Sequence, residues 1–352
     1  MAKRRLEDAI VASRALNVGI KLIDNFKGAQ SLFSTDINMN AGVFSLRFSD
    51  NLDIIGIGYG DGSVRLYSVT SGKLVSEFLT SSLSKIEHLR HLSMDLPVMS
   101  LKWHPHQRHL LYSACADGTI RLNNRETNEL SVIVYECDNE LTSIDFSANG
   151  EYYATTGKDA NIRLYNAKRN VILHKYNSTK MNTQVETILS TGTSDEICTT
   201  GHYYRVYAVK FHPDYANILI TGGWDNVVKI WDIRQKECID ACDNDILTAS
   251  WIRSNSLQIY DFRTRGLLQT LKVKGADEKG EYMYSAQLCD NHTIIAVGSG
   301  TNSCHVINTM DNNELARLPL TKPVYALDSM LGGRVFAFGG LDKFVIAHMK
   351  DN

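Results

Sequence analysis

A short pattern that recurs along the 352 residues most constrains the fold of this chain. Four clear copies read IGYGDGSVRLYS, SACADGTIRLNN, TTGKDANIRLYN and TGGWDNVVKIWD. Each has a turn aspartate and, six positions later, a strand residue that is usually aromatic; the pairs are Asp61 and Tyr67, Asp117 and Asn123, Asp159 and Tyr165, and Asp225 and Trp231. Apolar and polar residues alternate between them, which is the period of a half-buried strand. Each copy therefore predicts two strands joined by a tight turn.

Weaker copies and a second recurring phrase extend this pattern. The weaker copies end on Tyr260, Asn308 and His348, which brings the number of copies to seven. Upstream of the clear turns lie the phrases VFSLRF, VMSLKW, LTSIDF and VYAVKF, whose alternation predicts a further strand in each copy. A series of this kind indicates a repeat architecture, in which successive copies bury a continuous core.

The series resembles the WD40-repeat family over roughly residues 30–350. The fourth copy carries both signature dipeptides, Gly201-His202 and Trp231-Asp232. The resemblance implies an all-β fold, a seven-bladed WD40-type β-propeller with four strands per blade around a channel.

The two ends of the chain are expected to meet in the last blade. The last copy ends at Lys350, so another segment must supply its outermost strand, and residues around 30–34 fit that place. We therefore expect residues 29–352 to form a propeller closed by an N-terminal strand. Residues 1–28 are expected to form a short helical segment packed outside the ring.

The spacing of the copies predicts irregular blades 4 and 5. Tyr260 follows Trp231 after only 29 positions, too few for four strands. Either blade 4 lacks its outer strand or blade 5 lacks most of its inner one, and an omitted segment near Cys238 is a further alternative. Excess length instead falls at residues 80–95 and 177–204, which we expect to project from one face.

The resemblance also implies a hydrogen-bonded structural network. Its members in this chain are His202, Thr221, Asp225 and Trp231, with Ser113, Asp117, Thr155 and Asp159 at matching positions of other copies. A buried aspartate is costly unless its oxygens are satisfied, so this interpretation is physically reasonable. A hydrolase built on His202 and Asp225 would need an activated nucleophile, and none stands at a fixed offset.

Two other groups of residues invite a functional interpretation. Bases recur two positions before the endpoint of each clear copy, at Arg65, Arg121, Arg163 and Lys229. We interpret them as solvent-side residues whose stems cover neighbours, in preference to a ring of phosphate contacts. His104, His106 and His109 suggest a metal, but turn chemistry is the favoured interpretation because no further ligand stands at suitable spacing. No metal or cofactor is expected.

Composition narrows the function classes. The formal net charge is -2, from 37 basic and 39 acidic residues, which argues against nucleic-acid binding. The seven cysteines are irregularly spaced without a CxxC, which favours a reducing compartment. Apolar runs long enough to span a membrane are absent from the sequence, and the N-terminus is a poor signal peptide. The expected location is cytoplasmic or nuclear.

The favoured function is a non-catalytic scaffold that binds protein or peptide partners on the face carrying the 80–95 and 177–204 loops. The expected contacts are His88, Arg90, His91, Tyr203, Tyr204, Arg205, Tyr282 and Tyr325. The alternatives are an enzyme with a channel site, for which Asp145 and Asp328 are the obvious acids, and a nucleic-acid-binding propeller. The chain itself is expected to be monomeric.

Overall fold

The structure is a computed structural model in which the described part of the chain is built from β-strands. It describes residues 28–36, 41–85, 95–176, 201–234, 245–261, 264, 266–289 and 292–350. A short 3-10 helix at Thr80–Lys85 accompanies 26 strands in this part. The expected N-terminal helix lies outside the described residues.

The strands form seven antiparallel sheets, which are the blades of an all-β, seven-bladed β-propeller as expected. Blades are numbered along the chain, and the strands of a blade are called first to fourth in sheet order. Blade 1 contains β2 (Val43–Phe48), β3 (Ile54–Tyr59), β4 (Val64–Ser68) and β5 (Leu74–Phe78). Blade 2 contains β6 (Val98–Trp103), β7 (Leu110–Cys115), β8 (Thr119–Asn124) and β9 (Glu129–Tyr135). Blade 3 contains β10 (Leu141–Phe146), β11 (Tyr152–Gly157), β12 (Ile162–Asn166) and β13 (Val171–Tyr176).

The remaining blades follow the same meander. Blade 4 contains β14 (Val206–Phe211), β15 (Ile218–Gly223) and β16 (Val228–Asp232). Blade 5 contains β17 (Asp245–Ala249), β18 (Leu257–Asp261) and β19 (Leu267–Leu271). Blade 6 contains β20 (Met283–Cys289), β21 (Thr293–Gly298), β22 (Ser303–Asn308) and β23 (Glu314–Pro319). Blade 7 contains β24 (Val324–Met330), β25 (Val335–Gly340), β26 (Lys343–Lys350) and β1 (Gly28–Asp36).

The recurring aspartate organises the turn between the second and third strands. In blade 1 the Asp61 carboxylate accepts the backbone N–H of Ser63 at 3.0 Å, and in blade 2 Asp117 accepts the N–H of Thr119 at 2.8 Å. In blade 3 Asp159 accepts the N–H of a residue two positions on, at 3.1 Å. A side chain that bonds the backbone two residues ahead replaces a backbone turn bond, which is why aspartate recurs there.

The chain divides into two compact units, and the core clusters of each draw on successive blades. Unit 1 holds blades 5, 6, 7 and 1, and comprises Met1–Leu101, Arg125–Glu129 and Ala241–Asn352. Unit 2 holds blades 3, 4 and most of blade 2, and comprises Lys102–Asn124 and Leu130–Asp240. In unit 2, Leu164 of blade 3 packs with Phe211 and Trp231 of blade 4. In unit 1, Tyr59 of blade 1 packs in one cluster with Phe344 of blade 7. Apolar strand faces are thus buried against the neighbouring blade.

The fourth strand of blade 7 comes from the N-terminal side of the chain. β1 pairs antiparallel with β26, from Gly28 opposite Lys350 to Asp36 opposite Lys343. Leu32 and Phe33 of β1 pack on the core cluster shared by blades 7 and 1. Residues near positions 30–34 therefore occupy the outer strand that the sequence required. The division into a segment 1–28 and a propeller 29–352 stays a prediction, since residues 1–27 lie outside the described part.

Blades 4 and 5 are irregular, which confirms the expectation from their spacing. Within the described residues each has three strands, whereas the other five blades have four. In blades 1, 3 and 6 a bulge interrupts the pairing of the third with the fourth strand, and β18 and β19 share that bulge at Tyr260. Blade 5 thus shows its second to fourth strands, and blade 4 its first to third.

The exposure of the third strand in blade 4 follows from this arrangement. In blade 1, Val64 lies opposite Phe78 of the fourth strand and is 2% exposed. The corresponding residue of blade 4 is Val228, because it lies three positions before Trp231 as Val64 lies three positions before Tyr67. Val228 is 43% exposed. An outer strand therefore covers this position in complete blades, and the described part of blade 4 supplies none.

Two of the expected endpoints move by one residue. Judged by the bulge between the third and fourth strands, the residues equivalent to Trp231 of blade 4 are Ile307 in blade 6 and Ala347 in blade 7. They are not Asn308 and His348. Isoleucine and alanine have neither an aromatic ring nor a polar group that marks the position. The sequence pattern therefore had no signature residue with which to set the register.

Replacement of Phe33 with Ala should lower the free energy of unfolding by about 2 kcal/mol, because a partly buried ring is lost from the cluster that β1 covers. Urea denaturation followed by tryptophan fluorescence measures the change. Ser34→Ala, an exposed position on the same strand, is the control and should shift the midpoint little. Equal midpoints for Phe33→Ala and the control would show that β1 adds no packing energy.

Candidate binding face

The polar residues of blade 4 form one buried chain of hydrogen bonds. Trp231 Nε1–H donates to Thr221 Oγ1 at 2.9 Å, and His202 Nε2 lies 2.7 Å from the same hydroxyl. His202 Nδ1 lies 2.7 Å from Asp225 Oδ2. The arrangement is satisfied when the neutral imidazole donates from Nδ1 and accepts the Thr221 proton at Nε2. The structure thus brings together the four residues named from the sequence.

Burial keeps the imidazole of this chain neutral. Desolvation lowers the pKa of His202, and the neighbouring Asp225 carboxylate opposes that effect without overcoming it. Protonation would also make both ring nitrogens donors, and the Thr221 hydroxyl would then lose its acceptor. These atoms face each other inside the protein, so the arrangement ties a loop to a turn.

Blade 3 builds the corresponding network around a carboxylate. Glu136 is buried, and its Oε1 accepts hydrogen bonds from the hydroxyls of Thr155 at 2.6 Å and Tyr165 at 2.7 Å. Asn139 Nδ2 donates to Oε2 at 2.7 Å, and Arg163 forms an ion pair with the same oxygen at 2.8 Å. Glu136 therefore stands where His202 stands in blade 4. Sequence reasoning missed it, because no Gly-His dipeptide precedes this blade; an acid just before the first strand is its only sequence signal.

Blade 2 carries a related network. Asn123 Nδ2 donates to the Ser113 hydroxyl at 3.1 Å, so the Ser113 position is again bonded to the endpoint residue. The Asp117 carboxylate accepts the Thr119 hydroxyl at 2.6 Å and pairs with Arg121. Asp117 thus acts in the same way as Asp159, which accepts Asn161 and pairs with the arginine of blade 3.

The recurring bases are ion-pair partners of the turn aspartates. Arg121 is 1% exposed and pairs with Asp117, and Arg163 is 8% exposed and pairs with Asp159. The expectation that these two arginines are solvent-side residues is therefore wrong, because each is buried against the turn carboxylate with which it pairs. Half-buried Arg65 pairs with Glu77 of the fourth strand at 2.5 Å. The lysine of blade 4, Lys229, donates to the backbone oxygen of Gly201 at 2.8 Å.

The two acids considered for a channel site are buried and paired. Asp328 accepts the backbone N–H of Phe48 at 2.8 Å and pairs with Arg47 at 2.6 Å. In unit 2, Asp145 accepts the N–H of Phe211 at 2.7 Å and pairs with Lys102 at 2.6 Å. Burial by itself raises the pKa of Asp145, but Lys102 and the nearby Lys210 hold it below the ordinary value. Asp328 thus links the first strands of blades 7 and 1, and Asp145 links those of blades 2, 3 and 4.

The histidine cluster near the end of β6 performs turn chemistry. His104 Nδ1 accepts the backbone N–H groups of His106 at 3.1 Å and Gln107 at 3.0 Å. His212 accepts two backbone N–H groups in the same way after β14. In the ranges that the structure describes, no group of three or more His, Cys, Asp or Glu residues could hold a metal ion.

At one end of blades 1, 3, 4, 6 and 7, the residues before the first strand meet the turn between the second and third strands; we call this end of a blade the entry end. In blade 4 the backbone oxygen of Arg205 accepts the N–H of Trp224 at 2.9 Å, and in blade 6 that of Tyr282 accepts Ser299 at 3.1 Å. The expected contacts that the structure describes, residues 203–205, 282 and 325, all lie at entry ends. His88, Arg90 and His91 lie outside the described residues.

The expected contacts of blade 4 lie beside aromatic residues that sequence reasoning did not name. Tyr204 is 63% exposed, and Trp224 in the aspartate turn is 62% exposed. The rings of Tyr207 and Trp224 approach to 5.4 Å between centroids. Arg205 lies 6.0 Å from the Tyr207 ring and pairs with Glu140 at 2.5 Å. Blade 4 thus presents an exposed aromatic and basic surface at its entry end.

A repeated bulge explains how the other aromatic residues reach the entry end. The pairing of first and second strands shifts by one residue after the first pair in blades 1, 3, 4, 6 and 7. The extra residues are Phe44, Thr142, Tyr207, Tyr284 and Tyr325. A bulge re-aims the side chain of its extra residue, and four of these five are aromatic. The sequence signal is an aromatic residue at the second position of the first strand.

Comparisons with known proteins agree with the repeats. The family model described as WD domain, G-beta repeat matches residues 85–124, 130–166 and 192–232. A Caenorhabditis elegans transcription initiation factor TFIID subunit 5 is 22% identical over 88% of this chain and 46% of its own length. An uncharacterised WD repeat-containing protein of Saccharomyces cerevisiae is 23% identical over 66% of this chain and 52% of its own length. Human coronin-2A is 25% identical over 38% of this chain and 27% of its own length. The chain thus spans about half the length of the first two relatives and a smaller part, 27%, of the third.

Within the described ranges, the protein has no helix that is long and apolar enough to cross a membrane.

The stability of the protein should decrease as the pH is lowered, and His202 should cause part of this decrease. Because burial holds its folded pKa below the unfolded value of about 6.5, the unfolded chain binds the proton more readily, and stability is lost as the pH falls through that value. His202→Gln should therefore weaken the loss measured by chemical denaturation between about pH 7.5 and 5.5. His292→Gln, an exposed control, should keep the wild-type slope. Identical slopes for wild type and His202→Gln would contradict the buried neutral state.

Arg163→Met should destabilise the protein by about 3–5 kcal/mol, because it leaves the buried Glu136 carboxylate without its cation. Arg169→Met, at an exposed position of the same blade, is the matched control and should change stability by about 0.5 kcal/mol or less. Thermal and urea denaturation of both variants measure the difference. Similar midpoints for the two variants would show that the ion pair between Arg163 and Glu136 does not contribute to stability.

Proposed function

This chain belongs to the WD40-repeat family, and we propose that it is a non-catalytic scaffold that binds protein or peptide partners at the entry ends of its blades. One observation carries the proposal: exposed aromatic side chains collect at these ends, in Tyr203, Tyr204 and Trp224 of blade 4 and in Tyr284 of blade 6. Aromatic residues supply large contact area at low entropic cost, which makes them the usual anchors of protein interfaces.

The state of the polar residues also supports a scaffold. A catalytic acid or base needs a proton-exchanging atom that can face a substrate. His202 instead has both ring nitrogens engaged, and Glu136 has both oxygens engaged inside blade 3. Asp145 and Asp328 join neighbouring strands. These groups serve the fold, which favours binding over catalysis and over the channel-enzyme alternative.

The rigidity of the entry ends is suited to binding. The loops that carry Arg205 and Tyr282 are held by backbone hydrogen bonds to the neighbouring turns, so their side chains need little ordering when a partner binds. Loops on a rigid scaffold are common carriers of function. The 80–95 and 177–204 segments, most of which lie outside the described residues, are proposed as further parts of the binding surface. His88, Arg90 and His91 stay proposed contacts within the first of them.

The relatives suggest a setting for this role. One is by name a subunit of a transcription initiation factor, and another is a nuclear distribution protein of Candida tropicalis that is 24% identical over 49% of this chain. By analogy we place this chain in a multi-protein assembly in the cytoplasm or nucleus, as a monomer outside that assembly. A net charge of -2 gives no support to nucleic-acid binding.

Cross-linking of the tagged protein in its native cell, followed by mass spectrometry, tests the role. Simultaneous replacement of Tyr203, Tyr204 and Trp224 with Ala should remove most cross-linked partners, because the anchors of the blade 4 entry end are lost. Tyr215→Ala is the matched control, since this tyrosine is 56% exposed but follows β14 at the other end of the same blade. An unchanged partner set in the triple variant, at wild-type expression, would refute binding at the blade 4 entry end.

A further inference from the structure

Three aromatic side chains from successive blades form a ladder in unit 1. Tyr284 of blade 6 and Tyr325 of blade 7 meet edge to face, with ring centroids 5.0 Å apart. Tyr325 and Phe44 of blade 1 stack with centroids 5.5 Å apart and an interplanar angle of 17°. Each is the extra residue of a bulge at the start of a first strand, so the three share one structural origin. We call this group the aromatic ladder.

The backbone around the ladder holds its rings in place. A Cβ at Gly60 would come within 2.9 Å of the Phe44 ring, so only glycine allows the turn to lie against it. The Gly60 N–H also donates to the backbone oxygen of Ala41, which fixes the turn relative to the start of β2. The Phe44 ring is therefore confined, and a ligand would meet a surface that is already formed.

The two tyrosines of the ladder offer hydrogen-bond donors. Neither the Tyr284 nor the Tyr325 hydroxyl has a hydrogen-bond partner in the described part of the chain. Partial burial raises the pKa of Tyr325 above its ordinary value, so its hydroxyl stays protonated at neutral pH. A ligand for this surface would combine apolar contact with groups that accept hydrogen bonds.

The ring arrangement disfavours a cationic ligand. A cation is best held by ring faces that converge on it. In the ladder, Phe44 covers one face of the Tyr325 ring. The rings of Tyr284 and Tyr325 meet edge to face, so their faces do not converge on a common point. Blade 4 differs, because Arg205 and Lys229 of the chain itself lie 6.0 Å and 5.8 Å from the rings of Tyr207 and Tyr203.

The charges beside the ladder favour a neutral ligand. Lys322 in the loop before β24 and Lys343 at the start of β26 are positive, and Asp342 and Asp61 in the turns of blades 7 and 1 are negative, so the two signs are balanced there. The Asp342 carboxylate is already engaged by the backbone N–H and hydroxyl of Thr321, at 3.0 and 2.7 Å. Neither sign of charge is left in excess to attract a charged peptide.

We propose that the aromatic ladder binds a neutral, proline-rich segment of a partner protein in the polyproline II conformation. The proposal rests on the scaffold function above and names the class of ligand for one part of its surface. A polyproline II segment has no internal hydrogen bonds, so its carbonyl oxygens are free to accept the two tyrosine hydroxyls. Its apolar proline rings pack against aromatic side chains without needing ring faces that converge, and its stiffness lowers the entropic cost of binding. A helix would instead have most of its carbonyls engaged internally.

Fluorescence anisotropy with a fluorescein-labelled peptide of about ten prolines tests the proposal. The full chain should bind it saturably, and a Gly-Ser peptide of equal length should not bind. Tyr284→Phe and Tyr325→Phe should each raise Kd about fivefold, because each removes one hydroxyl donor. Tyr325→Ala should raise Kd about tenfold or more by removing the central ring. Tyr215→Phe and Tyr215→Ala, which change a tyrosine outside the entry ends, should leave Kd unchanged.

Salt dependence and a charged probe complete the test. Kd for the proline peptide should change less than about twofold between about 50 and 500 mM NaCl, since no ion pair is formed. The absence of saturable binding would overturn the proposal, as would equal Kd values for wild type and Tyr325→Ala when circular dichroism shows both folded. Tighter, salt-sensitive binding of a lysine-containing peptide of equal length would also overturn it in favour of a cationic ligand.

The outcome separates the ligand class from the scaffold function. If the proline peptide fails to bind while Tyr325→Ala still removes cross-linked partners in cells, only the ligand class is wrong. If neither Tyr325→Ala nor the triple variant of blade 4 changes the cross-linked partners, the scaffold function fails as well.

Discussion

The structure depends on the satisfaction of buried polar groups where the second and third strands of a blade turn back. A carboxylate removed from water is tolerated only when hydrogen bonds, with or without a cation, replace its hydration. In blade 2, Asp117 meets this requirement through Thr119 and Arg121. In blade 4, Asp225 meets it through His202. Because these bonds join the turn to the strand or loop beside it, they set the position of both and hence of the entry end.

The same requirement is met by different residues in different blades. His202 links a strand hydroxyl to the turn in blade 4. In blade 3, the Glu136 carboxylate instead accepts hydrogen bonds from two hydroxyls and an amide and pairs with a guanidinium. In blade 6 a histidine lies on the third strand itself: His305 contacts Glu314 at 2.5 Å and Thr301 at 2.6 Å. What recurs is a buried, fully bonded polar group that joins neighbouring segments, and its chemical identity varies. The networks stabilise the fold, whereas the surface residues of the entry ends are the ones that we propose for binding.

Much of the fold could be predicted from the sequence, but less of the candidate site. The turn aspartates, the alternating strands and the short spacing before Tyr260 are local features, and each indicated what the structure shows. Glu136 could not be recognised, because its role depends on Thr155 and Arg163, which lie 19 and 27 positions away. The burial of Arg121 was equally inaccessible, since alternation along a strand does not say whether the outward side chain meets solvent or a carboxylate. Tyr325 was named from its place before a strand, but its stacking on Phe44 joins residues from opposite ends of the chain.

The sequence by itself determined the number of blades, the order of their strands and the short spacing at blades 4 and 5, for each of which the described residues show three strands. It could do so because hydrophobic period and turn chemistry are short-range properties that a repeat makes visible several times. Only the tertiary structure decided which polar residues are buried and which aromatic residues form the ladder. Burial and ring contacts are set by neighbouring blades and by one-residue bulges, whose hydrogen-bond shifts leave no fixed signature in the chain.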